Sequence, residues 1–190
     1  MSSAEIDLTV SICTHNGADA VPEVLDHLRA QEGIGDVRWD VLVVDNNSTD
    51  GTAGVVRQYR ETWDRSAAPR IVTEQQQGLA FARQRAVDEA RGKLVAFLDD
   101  DNLPDPDWVA EVVSFAEEHP NAGAFGGQLI GEYEVEPPRS FGLVKRLFAI
   151  NTSILDVSPE RTPLKVELCL RIRLGCPERR LTMMIRFPMS

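Results

Sequence analysis

Three consecutive carboxylates, Asp99, Asp100 and Asp101, follow directly on an unbroken apolar run, Leu94-Val95-Ala96-Phe97-Leu98. Such a run is short enough for a strand buried on both faces. Carboxylates crowded at the end of a buried strand repel one another unless a cation neutralises them. A hard divalent cation with oxygen ligands, Mg²⁺ or Mn²⁺, is the natural neutraliser. In an open α/β sheet, ligands bind outside the carboxyl ends of the strands. The triplet also reads as a solvated turn that caps a helix after Pro106, and the residues alone leave both readings open.

Two more apolar segments end in polar groups. Thr14, His15 and Asn16 follow Leu8-Thr9-Val10-Ser11-Ile12-Cys13, and Asp45, Asn46 and Asn47 follow Trp39 to Val44. A carboxylate in such a place can accept from a base N–H or a ribose hydroxyl. Asp45 to Gly51, reading D-N-N-S-T-D-G, is equally good turn and N-cap chemistry. An EF-hand is excluded, because Asp50 stands where that loop needs glycine and Val56 where it needs a bidentate Glu. No G-x-G-x-x-G follows the first strand and no Walker lysine loop occurs. His27 and His119 fall in or at the end of helices and read as surface residues.

The elements that must position these groups alternate. The patterns predict a strand over 8–14, a helix through Val21, Val24, Leu25 and Leu28, a strand over 39–44, and a helix over 52–59. A short strand over 71–73 and a helix over 79–90 follow, with Leu79, Ala82, Ala86 and Ala90 on its packing side. Then come the strand before the aspartates, a helix opening at Pro106-Asp107-Trp108, and a Gly-rich strand over 122–130. Residues 132–140, with Pro137-Pro138, read as a loop. Alternating strands and helices predict an α/β fold with a mostly parallel sheet and right-handed crossovers.

One domain is the prior for 190 residues. Net charge is −10 but uneven: residues 1–150 carry 13 Lys+Arg against 26 Asp+Glu, and residues 151–190 carry 7 against 4. The acidic part argues against a nucleic-acid partner. The three cysteines, Cys13, Cys169 and Cys176, have no zinc spacing and form no disulfide framework. Cys13 reads as a small buried strand residue. With no signal peptide and no run of membrane-span length, the expected address is the cytoplasm, with peripheral association at the inner face of a membrane left open.

Four segments together resemble family 2 glycosyltransferases of the GT-A fold: Val10 to Asn16, Val43 to Thr52, Gly78 to Arg85, and Phe97 to Asp101. They occur in the family's order and cover about residues 8–130. The resemblance implies a Rossmann-like GT-A domain over 1–150, a UDP- or GDP-sugar donor, a divalent metal, and inverting transfer to a saccharide or lipid-linked acceptor. It places Thr14, Asn16 and Asp45 in the nucleoside pocket and Arg83 near the diphosphate. Asp99-Asp100-Asp101 becomes the D-x-D motif, with Asp99 and Asp101 at the metal and Asp100 nearer the ribose. The departure comes after residue 130, where the family's Glu-Asp base pair is missing. Residues 151–190 match no motif of the family and are expected to be an atypical tail that does not complete the catalytic domain, as in a truncated or frame-shifted chain. Its alternating Val166, Leu168, Leu170, Ile172 and Leu174 suit one strand, and an inactive fragment that binds nucleotide at most is the alternative to an active transferase.

Overall fold

A computed structural model describes residues 5–63, 67–132, 169–173 and 184–186. Four parallel strands carry the molecule: β1 (Ile6–Thr14), β2 (Trp39–Asp45), β3 (Arg70–Thr73) and β4 (Gly92–Asp99). Three helices connect them in turn: α1 (Val21–Arg29), α2 (Thr52–Glu61) and α3 (Leu79–Glu89). After β4 come β5 (Asn102–Pro104), α4 (Trp108–Glu118), β6 (Ala124–Phe125), β7 (Gln128–Glu132), β8 (Cys169–Arg173) and β9 (Met184–Arg186). The main sheet has the order β3-β2-β1-β4-β9-β6, and a second sheet has the order β5-β8-β7. β2 follows β1 on one side and β4 lies on its other side, so the strand order reverses at β1. That is the switch point at which open α/β sheets bind ligands.

Strand chemistry explains the layers. Val41 and Val43 of β2, with Leu94, Ala96 and Leu98 of β4, face one core. Their neighbours Leu42, Val44, Val95 and Phe97 face a second core with Ala82 and Ala86 of α3. Both faces are therefore covered, which is why β2 and β4 read as continuous apolar runs and not as alternation. The first core takes Val21, Val24, Leu25 and Leu28 of α1, Val56 of α2, and Trp108, Val109 and Val112 of α4. The α1 set has the spacing of a single helical stripe, and Pro22 sits in its first turn. Gln31, fully buried, ties α1 to α4: Nε2 donates to Asp105 O at 2.7 Å and Oε1 accepts from Val109 N at 2.8 Å. A neighbouring element thus caps α4, which has no side-chain cap of its own.

The opposite strand ends are pinned by a buried ionic cluster. The Thr9 hydroxyl donates to Asp40 Oδ1 at 2.6 Å and accepts from the N–H groups of Arg91 and Gly92. Arg70 Nε donates to Asp40 Oδ2 at 2.9 Å.

Two expectations differ from the structure. Residues 122–130 form two short strands in different sheets, β6 and β7, with Gly126-Gly127 between them. The strand expected near 166–174 is β8, and it pairs with β5 and β7, so the segment expected to stand outside the domain enters the second sheet. β9 pairs antiparallel with β4 and β6, so strands from the segment 151–190 join both sheets. The loop over 132–140 lies almost wholly outside the described residues, as do Cys176 and the prolines at 159, 163 and 177.

Two glycines should respond oppositely to alanine. A Cβ on Gly92 would stand 2.5 Å from Thr9 N and 2.7 Å from Leu8 C, so β4 must move off β1. Gly92→Ala should cost about 1–3 kcal/mol, the range for overpacking. Gly54, in the first turn of α2, has nothing within 4 Å of such a Cβ. Gly54→Ala should add about 0.5–1 kcal/mol through helix propensity. Urea unfolding of both variants checks the pair, and equal shifts would contradict the β1–β4 packing described.

Candidate functional site

Register fixes the site before any side chain is considered. Thr14 pairs across with Asp45, and Cys13 with Asp99, so β1, β2 and β4 all end at one level. Above those ends lies a cavity of about 540 Å³. Five of the seven residues singled out from the sequence line it: Thr14, Asn16, Asp99, Asp100 and Asp101. The reading of the aspartates as a solvated helix cap does not hold, since Asp99 is buried and β5 separates the triplet from α4.

Asp45 and Arg83 are not among the lining residues described. Asp45 is buried at the end of β2, and its Oδ1 accepts from Ser48 N at 2.9 Å, so it caps the turn that follows. Arg83 comes from α3. Its Nη2 lies 3.6 Å from Asp99 Oδ1 and its guanidinium 5.5 Å from the centre of the Phe97 ring. It sets the position of Asp99. Asp100 is held from β1, where Thr14 Oγ1 donates to Asp100 Oδ2.

Sequence reasoning missed the residue that assembles the walls. Asn46 is buried and bonds in three directions. Its Nδ2 donates to Glu74 O and Gln76 O at 3.2 and 2.8 Å, and its Oδ1 accepts from Gly78 N at 2.7 Å. Its backbone O lies 3.0 Å from His15 Nδ1. His15 Nε2 in turn lies 3.1 Å from Gln77 Nε2 and 3.2 Å from Asn16 Nδ2. The two amide donors make Nε2 the acceptor, which puts the ring proton on Nδ1 facing the Asn46 carbonyl. Gly17, Gln77 and Gly78 also line the cavity, and Gly78 has φ 137°, where a glycine is needed. The signal in the sequence was the polar run Gln75-Gln76-Gln77-Gly78, which carries no fingerprint by itself.

The second wall is a network of turn contacts. Asn16 adopts a left-handed conformation, φ 56°, and its Oδ1 accepts from Thr49 N at 2.8 Å. Thr52, fully buried, accepts from Gly17 N at 3.0 Å through Oγ1. Asp50 receives the Thr52 hydroxyl and N–H, which hold its carboxyl below the ordinary value. Burial pushes the Cys13 thiol up to about 11, so it stays protonated at neutral pH and supplies no thiolate nucleophile.

The lining carries three carboxylates, and among the described residues it contains no Lys or Arg. No group of three or more His, Cys, Asp or Glu among the described residues forms a complete cation cage. One or two carboxylates with the shell finished by phosphate oxygens is, however, a normal donor set for Mg²⁺. The aspartates fit a cation shared with a phosphorylated ligand. No helix among the described residues is long and apolar enough to cross a membrane.

Comparison with known proteins bears on this geometry. The sequence model of glycosyl transferase family 2 matches residues 9–162. The glycosyltransferase AglE of Haloferax volcanii is 32% identical over 114 residues, which are 60% of this chain and 36% of AglE. A mannosyltransferase of Pyrobaculum calidifontis, solved with GDP-Man and Mn²⁺, is 34% identical with a TM-score of 0.55, over 76% of this chain and 39% of that one. S. aureus TarS, solved with UDP, shares the fold at 24% identity and a TM-score of 0.59, over 71% of this chain and 39% of its own. The chain thus spans well under half the length of these relatives. The fold is the GT-A-like α/β fold of its structural neighbours, and with four-fifths of its residues under the family model the chain belongs to glycosyl transferase family 2.

Proposed function

We propose that the cavity at the ends of β1, β2 and β4 binds a nucleotide-diphospho-sugar, UDP- or GDP-linked, together with Mg²⁺ or Mn²⁺. The donor is then presented for inverting transfer to a saccharide or lipid-linked acceptor. The observation that carries this reading is the set of three aspartates in the lining, at the switch point of the sheet. A diphosphate entering that cavity meets the like charge of three aspartates, which a divalent cation entering with it offsets. The Mn²⁺ and GDP-Man bound by the Pyrobaculum relative support the pairing.

Each residue has a task in this reading. Asp101 and Asp99 hold the cation, with Asp99 steadied by Arg83, which also places positive charge near the diphosphate. Asp100, fixed by the Thr14 hydroxyl, accepts from the ribose. Thr14, Asn16 and Asp45 shape the nucleoside end. A bound Mg²⁺ or Mn²⁺ supplies charge neutralisation at the diphosphate as it leaves. The acceptor hydroxyl needs a general base to take its proton. No Glu-Asp pair occurs after residue 130, which favours a second reading in which this chain binds donor without turning it over. In that reading residues 151–190 add β8 and β9 to the sheets but supply no catalytic base. Work at the cytoplasmic face of a membrane, by peripheral association, suits a lipid-linked acceptor.

Purified chain with UDP- and GDP-sugars, Mn²⁺ or Mg²⁺ and an acceptor panel tests both. The first reading expects transfer with an inverted anomeric centre, and the second expects metal-dependent donor binding without product. Failure of every nucleotide diphosphate to bind with Mn²⁺ would defeat the two together.

Asp101→Asn should weaken Mn²⁺-dependent nucleoside diphosphate binding by about tenfold or more, since even outer-shell partners of a metal cost that much. Calorimetry with and without Mn²⁺ measures the coupling, and an unchanged coupling would show that Asp101 is no ligand.

Asp45→Ala should cost on the order of 1–3 kcal/mol of nucleotide affinity, the value of a charged hydrogen bond. Thermal melting runs beside the titration, because Asp45 also caps the turn at Ser48. A lower midpoint with unchanged affinity would leave Asp45 with the turn alone.

A further inference from the structure

At the other end of the same strands, four arginines from four separate segments meet. Arg38 directly precedes β2, Arg70 opens β3, Arg91 directly precedes β4, and Arg60 stands in the last turn of α2. Together they line a second cavity of about 300 Å³. Residues 1–150 contain 13 Lys+Arg against 26 Asp+Glu, so four guanidiniums in one cavity run against the bias of the chain. Among the described residues the cavity has one acidic lining residue, Asp40. That carboxylate is spent: Thr9 bonds one oxygen and Arg70 the other, and both Asp40 and Arg70 are largely buried. Arg70 therefore serves the sheet.

The other three do not. Arg38 Nε reaches only Asp7, at 3.8 Å with its own side chain 51% exposed, a contact worth little. Asp7 is also shared with Lys93, and the nearby Glu89 is paired with Arg85 at 2.9 Å. Among the described residues no acid pairs with the side chain of Arg60 or Arg91. Arg38, Arg60 and Arg91 are exposed at the cavity, and the positive charge they bring to one place attracts an anion. The guanidinium fork matches the oxygens of phosphate in bidentate fashion. The volume lies at the small end of ligand cavities and suits a phosphate or diphosphate group.

We propose that the cavity at the N-terminal edge of the sheet is a second binding site, for a phosphate-class anion, formed by Arg38, Arg60 and Arg91 around the Asp40–Arg70 pair. It is separate from the aspartate cavity, needs no divalent cation, and stands whether or not the donor reading holds. The phosphate belongs either to a soluble molecule or to a lipid headgroup.

The test uses the full chain in a chelator, which silences any metal-dependent site. Inorganic pyrophosphate is titrated by calorimetry at low and raised salt. Flotation uses vesicles of phosphatidylcholine with and without phosphatidylglycerol. The variants are Arg60→Gln/Arg91→Gln, each single change, and Arg57→Gln as an exposed arginine of α2 outside the cavity. Binding should be salt-sensitive and should fall about tenfold or more in the double variant, as for a lost charge-assisted hydrogen bond, with no change in Arg57→Gln. The thermal midpoint without ligand should not move, because neither arginine pairs within the described fold. If the double variant fails to fold, the single variants carry the comparison. Binding of pyrophosphate without preference for anionic vesicles assigns a soluble phosphate. Capture on anionic vesicles with weak pyrophosphate binding assigns a lipid headgroup. Equal binding by wild type and variants, or binding of neither probe by the wild type, overturns the proposal.

Discussion

Everything at the site depends on the backbone register of β1 against β2 and β4. The ladders set Thr14 level with Asp45 and Cys13 level with Asp99. A slip of one residue would reverse the facing of every side chain in β1. Leu8, Val10 and Ile12 would then leave a core in which each is fully buried. Thr9 and Ser11 would take their places and carry hydroxyls into that apolar core, where an unpaired polar group is costly. The apolar residues within the strands therefore decide where the polar residues at their ends stand. The aspartates do not hold themselves together; the valines and leucines behind them do.

Level strand ends give a floor, and the walls need a different physical device. Three loops, after β1, β2 and β3, must keep fixed positions without a core of their own. Asn46 links them, since its side chain bonds the loop after β3 and its backbone N–H donates to Thr14 O at 2.8 Å. A residue that uses both amide donors and its acceptor on three backbone groups is costly to replace, because a buried amide left unpaired costs about as much as the bonds it made. Asn16 and Asn47 take the left-handed conformations, φ 56° and 61°, that these tight turns require and that Asn tolerates better than most residues. The asparagine-rich text around β1 and β2 is thus architecture as well as chemistry.

That division explains what could be read from the sequence. β2, β4, α1 and α4 were legible because each carries an unambiguous apolar pattern, and the strand-end rule located Thr14, Asn16 and Asp99 to Asp101 in the cavity. The part played by Asn46 was not legible. Its partners lie about thirty residues away, and its use depends on where β3 ends. Asp45 shows the opposite limit: its position was readable, but a carboxylate at a strand end followed by Ser48 suits a turn cap as well as a ligand contact, and the structure fills the turn-cap role. Arg83 was placed by resemblance near the phosphates, whereas the structure gives it a direct partner in Asp99. The short β5 and the break at Gly126-Gly127 were hidden because two- and three-residue strands carry no periodicity to detect.

The two ends of the parallel strands carry opposite charge, and that arrangement constrains how ligands bind. Two like charges about 4 Å apart repel by about 4 kcal/mol at an effective dielectric constant near 20. On the proposed reading, a diphosphate beside three aspartates would be repelled by several such terms, with no Lys or Arg among the described lining residues to offset them. A cation beside the same aspartates is attracted, but one or two carboxylates leave its shell incomplete. Each ligand thus supplies what the other lacks, and thermodynamic linkage makes the help equal in both directions. An acidic cavity in an acidic chain is no obstacle to a phosphorylated donor under these conditions: the carboxylates discourage a diphosphate that arrives without its metal and stabilise the pair that arrives together.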